Sequence, residues 1–126
     1  MRIATLTFMG ALLFNNVALG DDLTGPQKNA VRSAEQYLKM QGFSKEGLIN
    51  QLSSSYGDNY DEKNARIAVQ SLDIDWKEQA ARSAKMYLKI QGFSCKGLIE
   101  QLSSSYGDAY TRDQAEYGAK QTNACN

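Results

Sequence analysis

Histidine does not occur in this 126-residue chain, proline and tryptophan occur once each, and cysteine occurs twice. Without histidine, the commonest general base and the commonest nitrogen ligand for metals are missing. No Ser, His and Asp set, no metal-ligand spacing and no Gly-rich phosphate loop stands in the sequence, so neither catalysis nor a cofactor is expected. Charge of one sign is also missing: 14 acidic residues face 14 basic ones. A basic surface for nucleic acid is therefore not supported at the level of net charge. Long apolar runs are scarce, and the clearest, Ile3 to Phe14, is too short to span a bilayer.

That run follows Arg2 and precedes Asn15, Asn16 and the small-residue pattern Ala18-Leu19-Gly20. Charged, apolar and cleavage regions in this order describe a secretory signal peptide over residues 1–20, with a mature chain starting near Asp21. A buried N-terminal helix or a retained membrane anchor is the alternative, although Asn15 and Asn16 interrupt the run and no basic stop-transfer segment follows. No cysteine lies near residue 20, so no lipid anchor is expected there. In an oxidising compartment two thiols of a small domain usually pair, and a Cys95–Cys125 disulfide would staple the last helix to the start of the one before it, contributing ~3 kcal/mol. Two unrelated free thiols are the alternative.

What the chain does have is repetition. Ala30 to Asp61 laid on Ala80 to Thr111 agrees at about 23 of 32 positions, including Gln-Leu-Ser-Ser-Ser-Tyr-Gly-Asp at 51–58 and 101–108. One structural unit must explain both halves, 21–72 and 73–126.

Each unit reads as three short helices. Thr24-Gly-Pro-Gln has the form of a capping box with proline in the first turn, and Ala30, Ala34, Tyr37, Leu38 and Met40 follow at helical spacing. Gly42 is expected to end this helix in a left-handed Schellman cap with Phe43 folded onto Leu38, and Gly92, Phe93 and Leu88 to repeat the device. Ser44 and Ser94 suit the next N-caps, before the stripes Leu48, Ile49, Leu52, Tyr56 and Leu98, Ile99, Leu102, Tyr106, each closed by Gly57 or Gly107. Asp61, and Thr111 with Gln114, open the third helices, which carry Ala65, Ala68, Val69 and Leu72 in one copy and Ala115, Gly118 and Ala119 in the other. Tyr60 and Tyr110 stand where they can staple onto Ala65 and Ala115. Gly118 is expected to weaken its helix by up to ~1 kcal/mol relative to alanine. At the joint Asp73-Ile74-Asp75-Trp76, Asp75 and Glu78 form another cap pair, and Ile74 and Trp76 are placed to pack between units. The fold class is all-α, a tandem of two three-helix, helix-turn-helix-like units.

The units beginning Ala30-Val-Arg-Ser-Ala and Ala80-Ala-Arg-Ser-Ala, each continuing through Tyr-Leu-Lys-x-Gln-Gly-Phe-Ser to Gln-Leu-Ser-Ser-Ser-Tyr-Gly, together with the joint Leu72-Asp-Ile-Asp-Trp-Lys-Glu-Gln-Ala, resemble the repeat of the Ltp family of host cell surface-exposed lipoproteins. The resemblance implies tandem helix-turn-helix-like domains displayed outside the cytoplasmic membrane. It also implies superinfection exclusion, in which a prophage-encoded protein stops a second phage from passing DNA inward by engaging its tape measure protein. Typical members carry a lipobox cysteine; its absence here fits a soluble periplasmic form without a lipid anchor.

Candidate contact residues are acidic. Glu100, Asp108, Asp113 and Glu116 fall on the second and third helices of the second copy and the turn between them, a patch suited to a basic partner segment, although Lys96, Arg112 and Lys120 are interspersed and ordinary solvated charge is the plainer role. Tyr37, Tyr87, Tyr56 and Tyr106 lie on apolar stripes and are expected in the core. Ser53-Ser54-Ser55 reads either as a solvated helix face or as room for a partner helix. A nucleic-acid reader would use Lys45, Asn50 and Gln51, but the second copy offers Cys95 and Glu100 instead. A module for peptidoglycan or a host envelope protein is the other alternative. Protein recovered from the cell envelope should begin at or within a few residues of Asp21 by intact mass; a chain starting at Met1 would defeat the export reading.

Overall fold

The computed structural model describes residues 22–126. Among them are six α-helices and no strand: α1 (Gly25–Met40), α2 (Lys45–Ser53), α3 (Glu62–Ser71), α4 (Trp76–Ile90), α5 (Cys95–Ser103) and α6 (Arg112–Lys120). The chain is all-α, built from two three-helix units: α1 and α2 pack on α3, and α4 and α5 pack on α6. The export signal expected at 1–20 lies outside the described residues. No helix among the described residues is long and apolar enough to cross a membrane.

Every helix begins where a side chain can satisfy its first free N–H groups. Thr24 and Thr111 form full capping boxes with Gln27 and Gln114. Ser44, Asp61 and Ser94 accept from the backbone three residues on, and Asp75 accepts from both Lys77 and Glu78. Such a cap stabilises a helix by ~1 kcal/mol. Glu78 does not return the bond to Asp75; its carboxylate accepts from Tyr117 Oη on α6 at 3.2 Å.

The helix ends differ from the sequence expectation. Among the described residues no glycine has positive φ. The first helices stop at Met40 and Ile90, with Gln41 and Gln91 fully extended behind them, so no Schellman cap forms. Phe43 meets Tyr37 edge-on at 5.8 Å, and Phe93 meets Tyr87 likewise at 5.6 Å. Nor do Gly57 and Gly107 end α2 and α5, which stop at Ser53 and Ser103. These glycines sit in the following turn, against the carbonyls of Gln51 and Gln101, where a Cβ has no room. The left-handed residues are Asn59 (φ 58°) and Ala109 (φ 61°). Asparagine tolerates that conformation, and alanine carries a cost of ~1 kcal/mol there.

The serine run shapes this turn instead of presenting one solvated helix face. Ser53 Oγ donates to the Ile49 carbonyl at 2.8 Å, and Ser54 Oγ accepts from the Tyr56 N–H at 3.0 Å. Ser103 and Ser104 do the same in the second copy. The turn throws Tyr56 and Tyr106 off the apolar stripe: both are 100% exposed, contrary to the expectation that they are core residues.

Each unit has its own core. Ala34, Leu48, Ile49, Leu52, Ala65 and Val69 form the first; Ala80, Ala84, Leu98, Leu102, Ala115 and Ala119 are central to the second, with Tyr110 buried beside them. Trp76 opens α4 yet packs on the first core, joining the units as expected, while Ile74 is half-buried. Tyr60 and Tyr110 lie in the clusters that contain Ala65 and Ala115 and reach back to Ser33 and Ser83 with hydrogen bonds of 3.0 and 2.8 Å. Cys95 and Cys125 form a disulfide across 30 residues, Cα to Cα 4.6 Å, tying the start of α5 to the tail behind α6.

At Gly118, α6 lies directly against the backbone of α4. A Cβ built on it would stand 2.6 Å from Ala80 C and 2.8 Å from Ala80 Cβ. The propensity cost of glycine is the condition for this contact. Gly118→Ala should lower stability by ~1–3 kcal/mol although alanine favours helix. Urea denaturation measures the change, and a stabilised variant would show that α6 is not held at this spacing.

Candidate binding cleft between the repeats

The units meet where the α1–α2 connection of the first touches α4 and the 107–108 turn of the second. Gly42 permits the approach, since a Cβ there would lie 2.6 Å from the Gln79 carbonyl oxygen and 2.8 Å from Ser83 Oγ. The next residue donates its N–H, Phe43 to Gln79 Oε1 at 3.3 Å, and Arg82 Nη1 donates to the same oxygen at 3.1 Å. Ser44 completes the seam. Its Oγ accepts from the Gly47 N–H at 2.9 Å, capping α2, and donates to the backbone carbonyl of Asp108. Ser44 is 2% exposed, while its counterpart Ser94 is open to solvent.

Beside this seam opens a cleft of about 410 Å³, with Asn50 on one wall and Met86, Tyr87, Ile90 and Asp108 on the other. The wall from α4 is apolar where it meets water: Met86 is 44% exposed and Ile90 72%. Its polar end is a clamp. Tyr87 Oη donates to Asp108 Oδ1 at 2.6 Å and accepts from Gln101 Nε2 at 3.2 Å. Tyr37, Asp58 and Gln51 form the same triad in the first unit at 2.7 and 3.2 Å, but there the carboxylate is exposed. Burial, and then the bond to Asp108, push the Tyr87 phenol up to about 12, so it stays a donor throughout the physiological range. Burial also raises the Asp108 carboxyl above its ordinary range, with the Tyr87 bond opposing it. An apolar wall ending in a half-buried carboxylate suits a partner side chain with an aliphatic stem and a cationic head.

The two halves that build this cleft each match the family described as host cell surface-exposed lipoprotein, over residues 26–72 and 75–121. The chain belongs to the Ltp family. No curated protein matches it. Among solved structures it is similar to Ltp, a superinfection exclusion protein from the Streptococcus thermophilus temperate phage TP-J34, with a TM-score of 0.72 and 31% identity over 80% of this chain and 99% of that one. The two matched stretches correspond to α1–α3 and α4–α6, so the family's repeat is the three-helix unit.

The four acidic candidates do not form one uniform patch. Arg112 sits among them, Nη1 3.3 Å from Glu100 and Nε 3.3 Å from Glu116. Asp113 is exposed in the first turn of α6. Asp108 belongs to the cleft. In the first unit Arg66 makes the corresponding exposed pairs with Glu46 and Glu62, and such pairs contribute ~0–1 kcal/mol. Sequence reading missed the cleft because its walls come from different repeats; the sign available was the pair Met86 and Ile90, one helical turn apart and next to Lys85 and Lys89 on α4.

Because the folded-state pKa of Asp108 is raised, the native state binds the proton more tightly than the unfolded chain. Asp108 therefore favours folding most at low pH, and its contribution is lost as pH climbs from the unfolded carboxyl pKa through the raised folded one. Asp108→Asn keeps an acceptor for Tyr87 and removes the buried charge, so it should raise the urea midpoint at pH 7 relative to wild type more than at pH 3. An equal effect at both pH values would mean that the carboxylate is not penalised by its site.

Proposed function

We propose that the protein is exported and excludes superinfecting phage at the cell envelope, blocking DNA injection by binding the tape measure protein. The observation that carries this reading is the 31% identity, over 80% of the chain, with a superinfection exclusion protein of the same fold. The cleft supports a binding role: it pairs exposed apolar side chains with a half-buried carboxylate and presents a phenol too weakly acidic to serve as a base near neutral pH. Export agrees with the family's description as cell surface-exposed and with a disulfide between the two cysteines. The leader pattern and the lack of a cysteine near residue 20 favour a soluble periplasmic protein. The protein acts without catalysis, by occupying a phage protein that must cross its compartment ahead of DNA.

The contact surface in this reading runs from the cleft to the edge that carries Glu100, Glu116 and Asp113, where Glu100 and Glu116 flank the Arg112 guanidinium and Asp113 is exposed in the first turn of α6, open to a basic segment. Cells expressing the full chain should adsorb phage normally and admit less DNA from a subset of phages. Removing residues 2–20 should abolish protection, and Asp113→Lys should weaken it with the fold intact. Phages that escape should carry changes in the tape measure gene. Escape confined to a receptor-binding protein would overturn the mechanism.

A further inference from the structure

The seam between the repeats is heterologous: a ledge on one unit, Gly42-Phe43-Ser44, enters a face on the other made by Gln79, Arg82, Ser83 and the carbonyl of Asp108. Both units carry both surfaces in sequence, so the tandem uses one ledge and one face and leaves one of each. The unused ledge is Gly92-Phe93-Ser94. A Cβ on Gly92 would meet nothing within 4 Å, and Gly92 and Ser94 are exposed. The unused face is Asn29, Arg32, Ser33 and the backbone of Asp58, with Asn29, Arg32 and Asp58 exposed.

From this we infer that a second copy of the chain docks its Gly92–Ser94 ledge onto α1 of the first, head to tail, by the contact that joins the repeats internally. The match between the surfaces is close. Gly, Phe and Ser recur on the ledge, and Gly97 follows as Gly47 does, its N–H 2.9 Å from the capping Ser94 Oγ. Arg and Ser recur on the face, and Ser33 bonds Tyr60 as Ser83 bonds Tyr110. One position departs: Asn29 stands where Gln79 supplies the acceptor, one methylene shorter. The other differences among the lining residues, Glu100 for Asn50, Gln36 for Met86 and Met40 for Ile90, fall on the cleft beside the ledge.

Inside one chain the joint at 73–75 holds ledge and face together at an effective concentration of about 1 mM or more, an advantage that separate copies lack. Association between chains is correspondingly weak in dilute solution and grows where the protein is crowded. A heterologous contact does not close on itself in a pair unless the rotation allows it, so copies add in series.

Amide spectra of the protein recorded from ~0.05 mM to ~2 mM test this, a range that spans the effective concentration of a short tether. Shifts should grow together at Gly92–Ser94 and at Asn29–Ser33. Gly92→Ala should abolish both sets while leaving the dilute spectrum and thermal midpoint unchanged, because its methyl is unopposed within one chain but meets a backbone carbonyl in the docked pair. Asn29→Gln, which restores the acceptor of the internal seam, should bring on the same shifts at lower concentration. Concentration-independent spectra, shifts at only one of the two surfaces, or shifts that survive Gly92→Ala would each overturn the head-to-tail contact.

Discussion

The helices of this protein meet through alanine and glycine. Ala30, Ala34, Ala65 and Ala68 in one unit, and Ala80, Ala84, Ala115 and Ala119 in the other, are fully buried, and Gly118 rests on the backbone of Ala80. So little side chain between α1 and α3, or between α4 and α6, brings the backbones together and leaves each methyl a fixed allowance of space. The depth of each core then rests on Leu48 and Leu52, or Leu98 and Leu102, supplied by the short second helix. A unit of about 45 residues buries little surface, and close contact between small residues is how this one does it. The tyrosine clamps and the connection that carries the ledge are all hung on that seam.

Near-identical repeats are not equivalent once joined. Ser44 and Ser94 cap α2 and α5 in the same way, yet only Ser44 also reaches another unit. Asp58 and Asp108 accept from Tyr37 and Tyr87 at almost the same distance, but the neighbouring unit shields Asp108 and not Asp58. Burial raises the Asp108 carboxyl, so the second copy gains a perturbed acid without any change of residue. Duplication has made a site that neither unit has by itself.

Much of this was readable in the sequence because it is local. Capping residues bond three positions ahead, so Thr24, Ser44, Asp61, Asp75, Ser94 and Thr111 announced six helix starts, and apolar spacing named the core faces of α2 and α5. The disulfide followed from compartment and count. Helix ends were less readable, because glycine has two uses that look alike in sequence: it can turn left-handed or let something approach. Gly42 is expected in the first sense and serves the second, Gly57 and Gly107 are expected to end helices and instead fit against the Gln51 and Gln101 carbonyls, and the left-handed positions fall to Asn59 and Ala109. Tyr56 and Tyr106 were misplaced for a related reason, since their helices end three residues before them and periodicity no longer applies. The cleft lay beyond such reasoning because no spacing within one repeat records which surface of the other it will meet.

The Cys95–Cys125 bond also decides how tension would travel through the molecule. A pull applied beyond Cys125 passes through the sulfurs to Cys95 and on into α4, bypassing α5 and α6 altogether. Those two helices are therefore out of the load path, and under tension the second unit has only α4 to surrender. The first unit has no such shortcut. Stretched between its described ends, the chain would yield in α1 to α3 and at the Ser44 seam, and the segment inside the bridge, 96–124, would keep its folded length until the bond itself was reduced.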